Sequence, residues 1–93
     1  MKLKYDFAVR EIMGEYVLVP LGDGALGFAG MISTSETGAL LVEELKRDVD
    51  REVLVKRILE EYDVDEQTAA ADVDEFLDRL ETLNLLITEK DPS

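Results

Sequence analysis

The stretch "GDGALG", residues 22–27, has the spacing G-x-G-x-x-G, and the fold turns on whether it opens a helix or joins two strands. In a dinucleotide-binding fold the first glycine ends a strand and the last packs a helix onto that strand. The helix N-terminus then receives the pyrophosphate. Here the flanks are extended on both sides. Residues 16–19, "YVLV", are β-favouring and are closed by Pro20, which cannot donate to a ladder. Residues 28–33, "FAGMIS", are apolar and glycine-interrupted, and read as a further strand. Helical patterning begins only at Ser35, so no helix starts where the nucleotide fingerprint requires one. A chain of 93 residues also has no room for the several strand–helix–strand units of such a sheet. "GDGALG" is therefore read as a loop between strands.

Upstream of the loop, "YDFAVRE" alternates Tyr5, Phe7 and Val9 against Asp6, Ala8 and Arg10, the period of a half-buried strand. Gly14-Glu15 punctuates it from the second strand. Downstream, the spacing predicts three helices. Ser35 caps the first, over residues 36–47, with Leu40, Leu41 and Leu45 inward and Gly38 in its first turn, where either its backbone cost is smaller or close packing needs a missing side chain. Asp50 caps the second, over residues 51–62, with Leu54, Ile58 and Tyr62 in one row and Val55 and Leu59 beside it. Asp65 caps the third, over residues 66–83. There Ala69, Val73, Phe76, Leu77, Leu80 and Leu83 repeat at three and four, the clearest amphipathic signal in the chain. Asn84 suits the left-handed position after that helix, residues 85–88 form a short extended piece, and residues 89–93 are a fraying tail. The expected architecture is one α+β domain over residues 1–93. A three-stranded antiparallel meander (1–33) precedes a three-helix cluster (35–85), in an arrangement close to a winged helix-turn-helix. Sequential pairing makes the third strand a sheet edge.

Composition removes whole classes of function. The chain contains neither Cys nor His, which excludes thiol chemistry, disulfides, zinc sites of the usual ligands and imidazole catalysis. With no long apolar run and no signal-peptide core, the expected address is the cytoplasm. The net charge is −12 and unevenly spread: residues 1–35 hold three basic and four acidic side chains, residues 36–93 seven and eighteen. Such a domain repels nucleic acid and anionic membranes. A DNA-reading helix needs several cations, and the third helix offers only Arg79 among carboxylates.

Other constellations fail on spacing. "DVDEQ" and "DVDEF" place carboxylates at alternate positions, but counting from Asp63 puts Thr68 where a calcium loop needs Gly and Asp74 where it needs a bidentate Glu. Glu75, Asp78 and Glu81 form a solvated stripe with no apolar pocket to shift a catalytic pKa, and Ser33 and Ser35 lack a base. "TSET" lacks the Asp-Ser-Leu-like helix start of a carrier protein with a prosthetic arm. No cofactor, metal or catalytic residue is expected. An exposed third-strand edge beside an apolar helix does offer unpaired backbone groups and side-chain pockets to an added strand. The same features also suit a winged-helix-like protein–protein adaptor or regulator.

The segments "TSETGALLVEEL", "DREVLVKRILEEYDVD" and "ADVDEFLDRLETLNLL" together resemble the PqqD-like proteins of pyrroloquinoline quinone biosynthesis and related peptide-modification pathways. The matching positions are Thr34-Ser35-Glu36-Thr37-Gly38 at the first helix start, Tyr62-Asp63-Val64 between the second and third helices, residues 72–80 in the third, and Asn84-Leu85 after it. The chain departs from the family pattern in Thr34 for Leu, Ser35 for Asn, Asn84 for Gly, and in lacking the first-helix aromatic near Val42. The resemblance implies a non-catalytic recognition element for ribosomally made, post-translationally modified peptides. The leader region of a precursor peptide would add as a strand and be presented to a modifying enzyme, often a radical SAM protein. The implied contact residues are Phe28, Ala29, Gly30, Met31, Ile32 and Ser33 on the third strand and Ala69, Asp72, Val73, Phe76, Leu77 and Leu80 on the third helix. Both a monomer and a homodimer paired through the same edge are compatible with this reading.

Overall fold

The computed structural model describes residues 1–22 and 31–87. The remainder of "GDGALG" after Gly22, the expected strand residues Phe28, Ala29 and Gly30, and the tail therefore lie outside the described residues. The elements in chain order are β1 (Lys2–Leu3), β2 (Phe7–Ile12), β3 (Glu15–Pro20), β4 (Ile32–Thr34), α1 (Glu36–Glu44), α2 (Arg51–Glu61), α3 (Glu66–Thr82) and β5 (Leu86–Ile87). The meander is as the alternation predicts: an antiparallel sheet in the order β2-β3-β4, followed by three helices.

The β2–β3 hairpin registers Phe7 with Pro20 and Ile12 with Glu15. Its turn is Met13-Gly14, with φ of 52° and 85°. Two consecutive positive φ values match the right-handed twist of the flanking strands, and Gly at the second position accepts that geometry without a Cβ penalty. Inward side chains follow the alternation: Phe7 and Leu18 are buried, and Val9 packs against the core. In β4, Ile32 is buried and Ser33 exposed, and the strand registers Leu18 with Ile32, Val17 with Ser33 and Tyr16 with Thr34. It thus runs one residue past the predicted end, directly into the helix cap.

A second, two-stranded sheet was not predicted. β1 pairs antiparallel with β5, Lys2 opposite Ile87 and Leu3 opposite Leu86. Backbone bonds from Leu3 N–H to the Leu45 carbonyl (2.9 Å) and from Lys4 N–H to the Leu85 carbonyl (2.8 Å) tie the first residues to the ends of α1 and α3. Two-residue strands carry no periodicity, so sequence shows only that residues 85–88 are extended and not what they pair with.

The helices confirm the stripes and correct several details. Ser35 Oγ accepts from Gly38 N–H at 3.0 Å, and Asp65 accepts from Thr68 N–H at 2.7 Å, as caps should. Asp50 occupies the cap position of α2 but its side chain makes no capping bond. α1 ends at Glu44, three residues short of the predicted end, because Leu45 and the following turn swing the chain back toward β1. Leu54, Val55 and Ile58 are buried and Leu59 exposed, so the α2 stripe is narrower than its spacing suggests. In α1 the buried set is Ala39, Leu41, Val42 and Leu45 with Leu40 only half-buried, so that stripe is turned relative to the expected one. Asn84 has φ of 58°, with Leu85 N–H bonded to the Leu80 carbonyl and Asn84 N–H to the Glu81 carbonyl. These two bonds are a Schellman motif with Asn in place of Gly. Across the surface, Arg51 grips Asp74 of α3 bidentately (2.6 and 2.9 Å), and Arg57 joins Glu44 of α1 to Glu61.

On α3, Ala69, Val73, Leu77 and Leu80 are buried but Phe76 only partly so. Leu80→Ala should therefore cost about 2–5 kcal/mol in urea denaturation, and Phe76→Ala clearly less, because part of that ring already faces water. Equal losses would place Phe76 in the core.

Hydrogen bonds from Thr68 hold the Asp65 carboxyl below its ordinary pKa. A carboxyl depressed in the folded state stabilises above its unfolded pKa and loses that contribution as pH falls through the depressed value. Asp65→Asn keeps a good cap but removes the titration. The stability advantage of the native chain over this variant should thus shrink between about pH 6 and pH 2.5. An advantage constant over that range would show that the cap carboxylate does not titrate with folding.

Candidate functional site

β4 ends the order β2-β3-β4, so its outer edge has no strand beside it among the described residues. Alongside runs α3, and between them lie two adjoining open cavities. One, of about 500 Å³, is lined by Ser33, Thr34, Ser35, Thr37, Gly38, Leu41, Asp72, Glu75, Phe76 and Arg79. The other, of about 540 Å³, is lined by Met31, Ile32, Ser33, Arg79, Thr82 and Leu83. They share Ser33 and Arg79 and make one continuous groove. Its direction is readable from the walls. Met31 and Ile32 share the cavity of Arg79 and Thr82, while Thr34 and Ser35 share that of Asp72 and Phe76. β4 and α3 therefore run in opposite senses.

The floor is set by one glycine. A Cβ at Gly38 would stand 1.9 Å from Thr34 Oγ1 and 3.0 Å from Phe76 Cε1. The first turn of α1 accordingly lets the strand and the third helix close over it, with Leu41 one turn deeper. Nearby, burial raises the Tyr62 phenol above its ordinary pKa, while a hydrogen bond with groove residue Thr37 acts in the opposite sense.

The residues expected at the site divide sharply. Ser33, Asp72 and Phe76 line the groove, and Met31, 65% exposed, stands at its mouth. Ile32, 7% exposed, contributes to one wall while turning into the core. Ala69, Val73, Leu77 and Leu80 form the buried face of α3 and line neither cavity. The stripe that α3 presents to the groove is instead Asp72, Glu75, Phe76, Arg79 and Thr82, spaced at three and four one row around from the core face. Sequence reasoning missed Thr34, Thr37, Glu75 and Arg79 because it sought the wall among apolar positions. The mixed-polarity row beside the apolar one was the available signal. Among the described residues no three carboxylates converge as a metal site, and no helix is long and apolar enough to cross a membrane.

The family model for coenzyme PQQ synthesis protein D (PqqD) matches residues 15–86, which span the main sheet from β3 onward, all three helices and the groove. The chain belongs to the PqqD family. No curated relative matches this PqqD-family chain by sequence. Among solved structures it is similar to TbiB1 in complex with the TbiA(beta) leader peptide. The TM-score is 0.69 at 27% identity, over 98% of this chain and 100% of that one. Lasso peptide synthetase B1 complexed with the leader peptide shares the fold, with a TM-score of 0.65 at 18% identity over 94% and 96% of the two chains.

The closeness of the PqqD-family floor is testable. Ala is the better helix former by about 1 kcal/mol, yet Gly38→Ala should be net destabilising by about 1–2 kcal/mol because the new methyl meets Thr34 and Phe76. Adding Thr34→Ala should recover part of the loss in the same denaturation assay. A stabilised single variant would mean that the floor yields freely.

Proposed function

We propose that this PqqD-family protein is a non-catalytic recognition element that binds the leader segment of a precursor peptide by strand addition and presents it to a peptide-modifying enzyme. The observation that carries this reading is the groove itself: a strand edge unpaired among the described residues, a helix stripe beside it, and a partly exposed aromatic ring in the cavity they share. An added strand takes its register from main-chain bonds to β4 and its specificity from alternate side chains directed toward α3. The complexes of TbiB1 and lasso peptide synthetase B1 with leader peptides support the same occupant here. The chain has no His or Cys, and the groove carboxylates are exposed. In this reading the chemistry belongs to a partner enzyme, for which a radical SAM protein is a candidate, and the site of action is the cytoplasm.

The test is amide-shift mapping during titration with synthetic leader peptides of candidate precursors. Shifts should centre on residues 31–34 and 72–79, with an affinity between micromolar and nanomolar, or about −8 to −12 kcal/mol. Shifts confined to α2 would overturn strand addition while leaving the fold intact.

A further inference from the structure

The groove has a charge order. Asp72 and Glu75 line only the cavity shared with Thr34, whereas Arg79 lines that cavity and also the one shared with Met31, and along α3 Phe76 falls between Asp72 and Arg79. These three charges enter no ion pair among the described residues. Asp74, on the neighbouring face of the same helix, is by contrast gripped by Arg51, and Lys46, Arg47 and Arg57 are all paired with carboxylates. Arg79 is moreover the one basic residue within α3. In a chain of net charge −12, a groove that only attracted cations would need no arginine at its far end.

From these observations, and resting on the leader-binding reading above, we infer that the groove selects an extended peptide carrying a basic residue on the N-terminal side of an apolar anchor and an acidic residue on its C-terminal side. The geometry sets both spacing and direction. At about 1.5 Å rise per helical residue, Asp72 lies about 6 Å from Phe76 along α3, and Arg79 about 4.5 Å beyond it. In a strand, side chains on one face repeat at about 6.7 Å. With the apolar anchor over Phe76, the residue two before it and the residue two after it fall within side-chain reach of the two charged ends.

Direction follows from pairing. The sheet is antiparallel throughout, and antiparallel pairing is the more stable per residue. Because β4 runs from the Arg79 end to the Asp72 end, an antiparallel newcomer runs from Asp72 to Arg79. It thus presents its basic residue first. The reversed charge order would set like charges against each other at both ends, a repulsion that discriminates more than either attraction alone.

The experiment is a selection of random peptides against the full chain. Fluorescence anisotropy then follows on a selected peptide and on its twin with the basic and acidic residues exchanged. Selected sequences should read basic–x–apolar–x–acidic, and the exchanged twin should bind about tenfold more weakly, with the difference collapsing at high salt. Arg79→Glu, at an exposed position that leaves the core intact, should remove the preference for the acidic residue and favour a basic one there. Equal binding of the twins, or a preference unmoved by Arg79→Glu, overturns the charge order while peptide binding itself stands. Selected peptides whose binding is indifferent to Phe76→Ala, or no selection at all, overturn the groove as a leader site and the charge order with it.

Discussion

The close approach at Gly38 is the contact on which the groove depends. Three elements meet there: the end of β4 through Thr34, the first turn of α1 that directly follows it, and the distant α3 through Phe76. A side chain at Gly38 would meet the Thr34 hydroxyl and the edge of the Phe76 ring, so these two groove-lining side chains would have to shift. The cap immediately before it serves the same junction. Ser35 satisfies the Gly38 N–H, so the helix can begin one residue after the strand ends with no loop between them. Strand and helix are thereby locked at a fixed angle, and the free strand edge is held facing α3.

An open strand edge is ordinarily a liability, since its unpaired backbone groups template association with any other chain. Here several features restrain it. The described strand is only three residues long, its inward Ile32 is buried, and α3 stands over the edge with charges along the groove. A second copy of this chain would bring a similarly acidic surface to that edge. A short, partly covered edge lined with unpaired charges is poor for promiscuous pairing and suited to a segment of matching chemistry.

Length and period decide how much of this fold is legible in the sequence. α3 is long and strongly periodic, and its core stripe, its Asp65 cap and its left-handed Asn84 are all readable from residue types and spacing alone. The β2–β3 hairpin is equally plain in its alternation. The β1–β5 pairing is not, because two residues carry no period and the partners stand at opposite ends of the chain. Apolar spacing misplaces the groove wall by one row for a related reason. It reports which face of a helix meets the core, and Ala69, Val73, Leu77 and Leu80 do that. It is silent on which polar face meets a neighbouring strand edge, so Glu75 reads as solvated stripe and Arg79 only as a stray cation. Resemblance to the PqqD-like proteins supplies the groove's place in the fold, but only packing around Gly38 supplies its lining.

The division of labour on α3 has a consequence for how the protein can change. The buried row binds the third helix to the rest of the core, while the row holding Asp72, Glu75, Phe76 and Arg79 adds little to it, with Phe76 alone contributing partial burial. Exposed charged positions are nearly neutral for stability, so they are free to vary. About one turn of helix separates each from the next along the row, and each change alters the potential along the groove without disturbing the floor. In the proposed strand-addition mode, main-chain bonds to β4 supply affinity that depends little on side-chain identity. In that mode selectivity falls to a helix row that the fold does not need, and the proposed ligand preference would be rewritten at a few exposed positions while Gly38, Ser35 and the core stripe stay fixed.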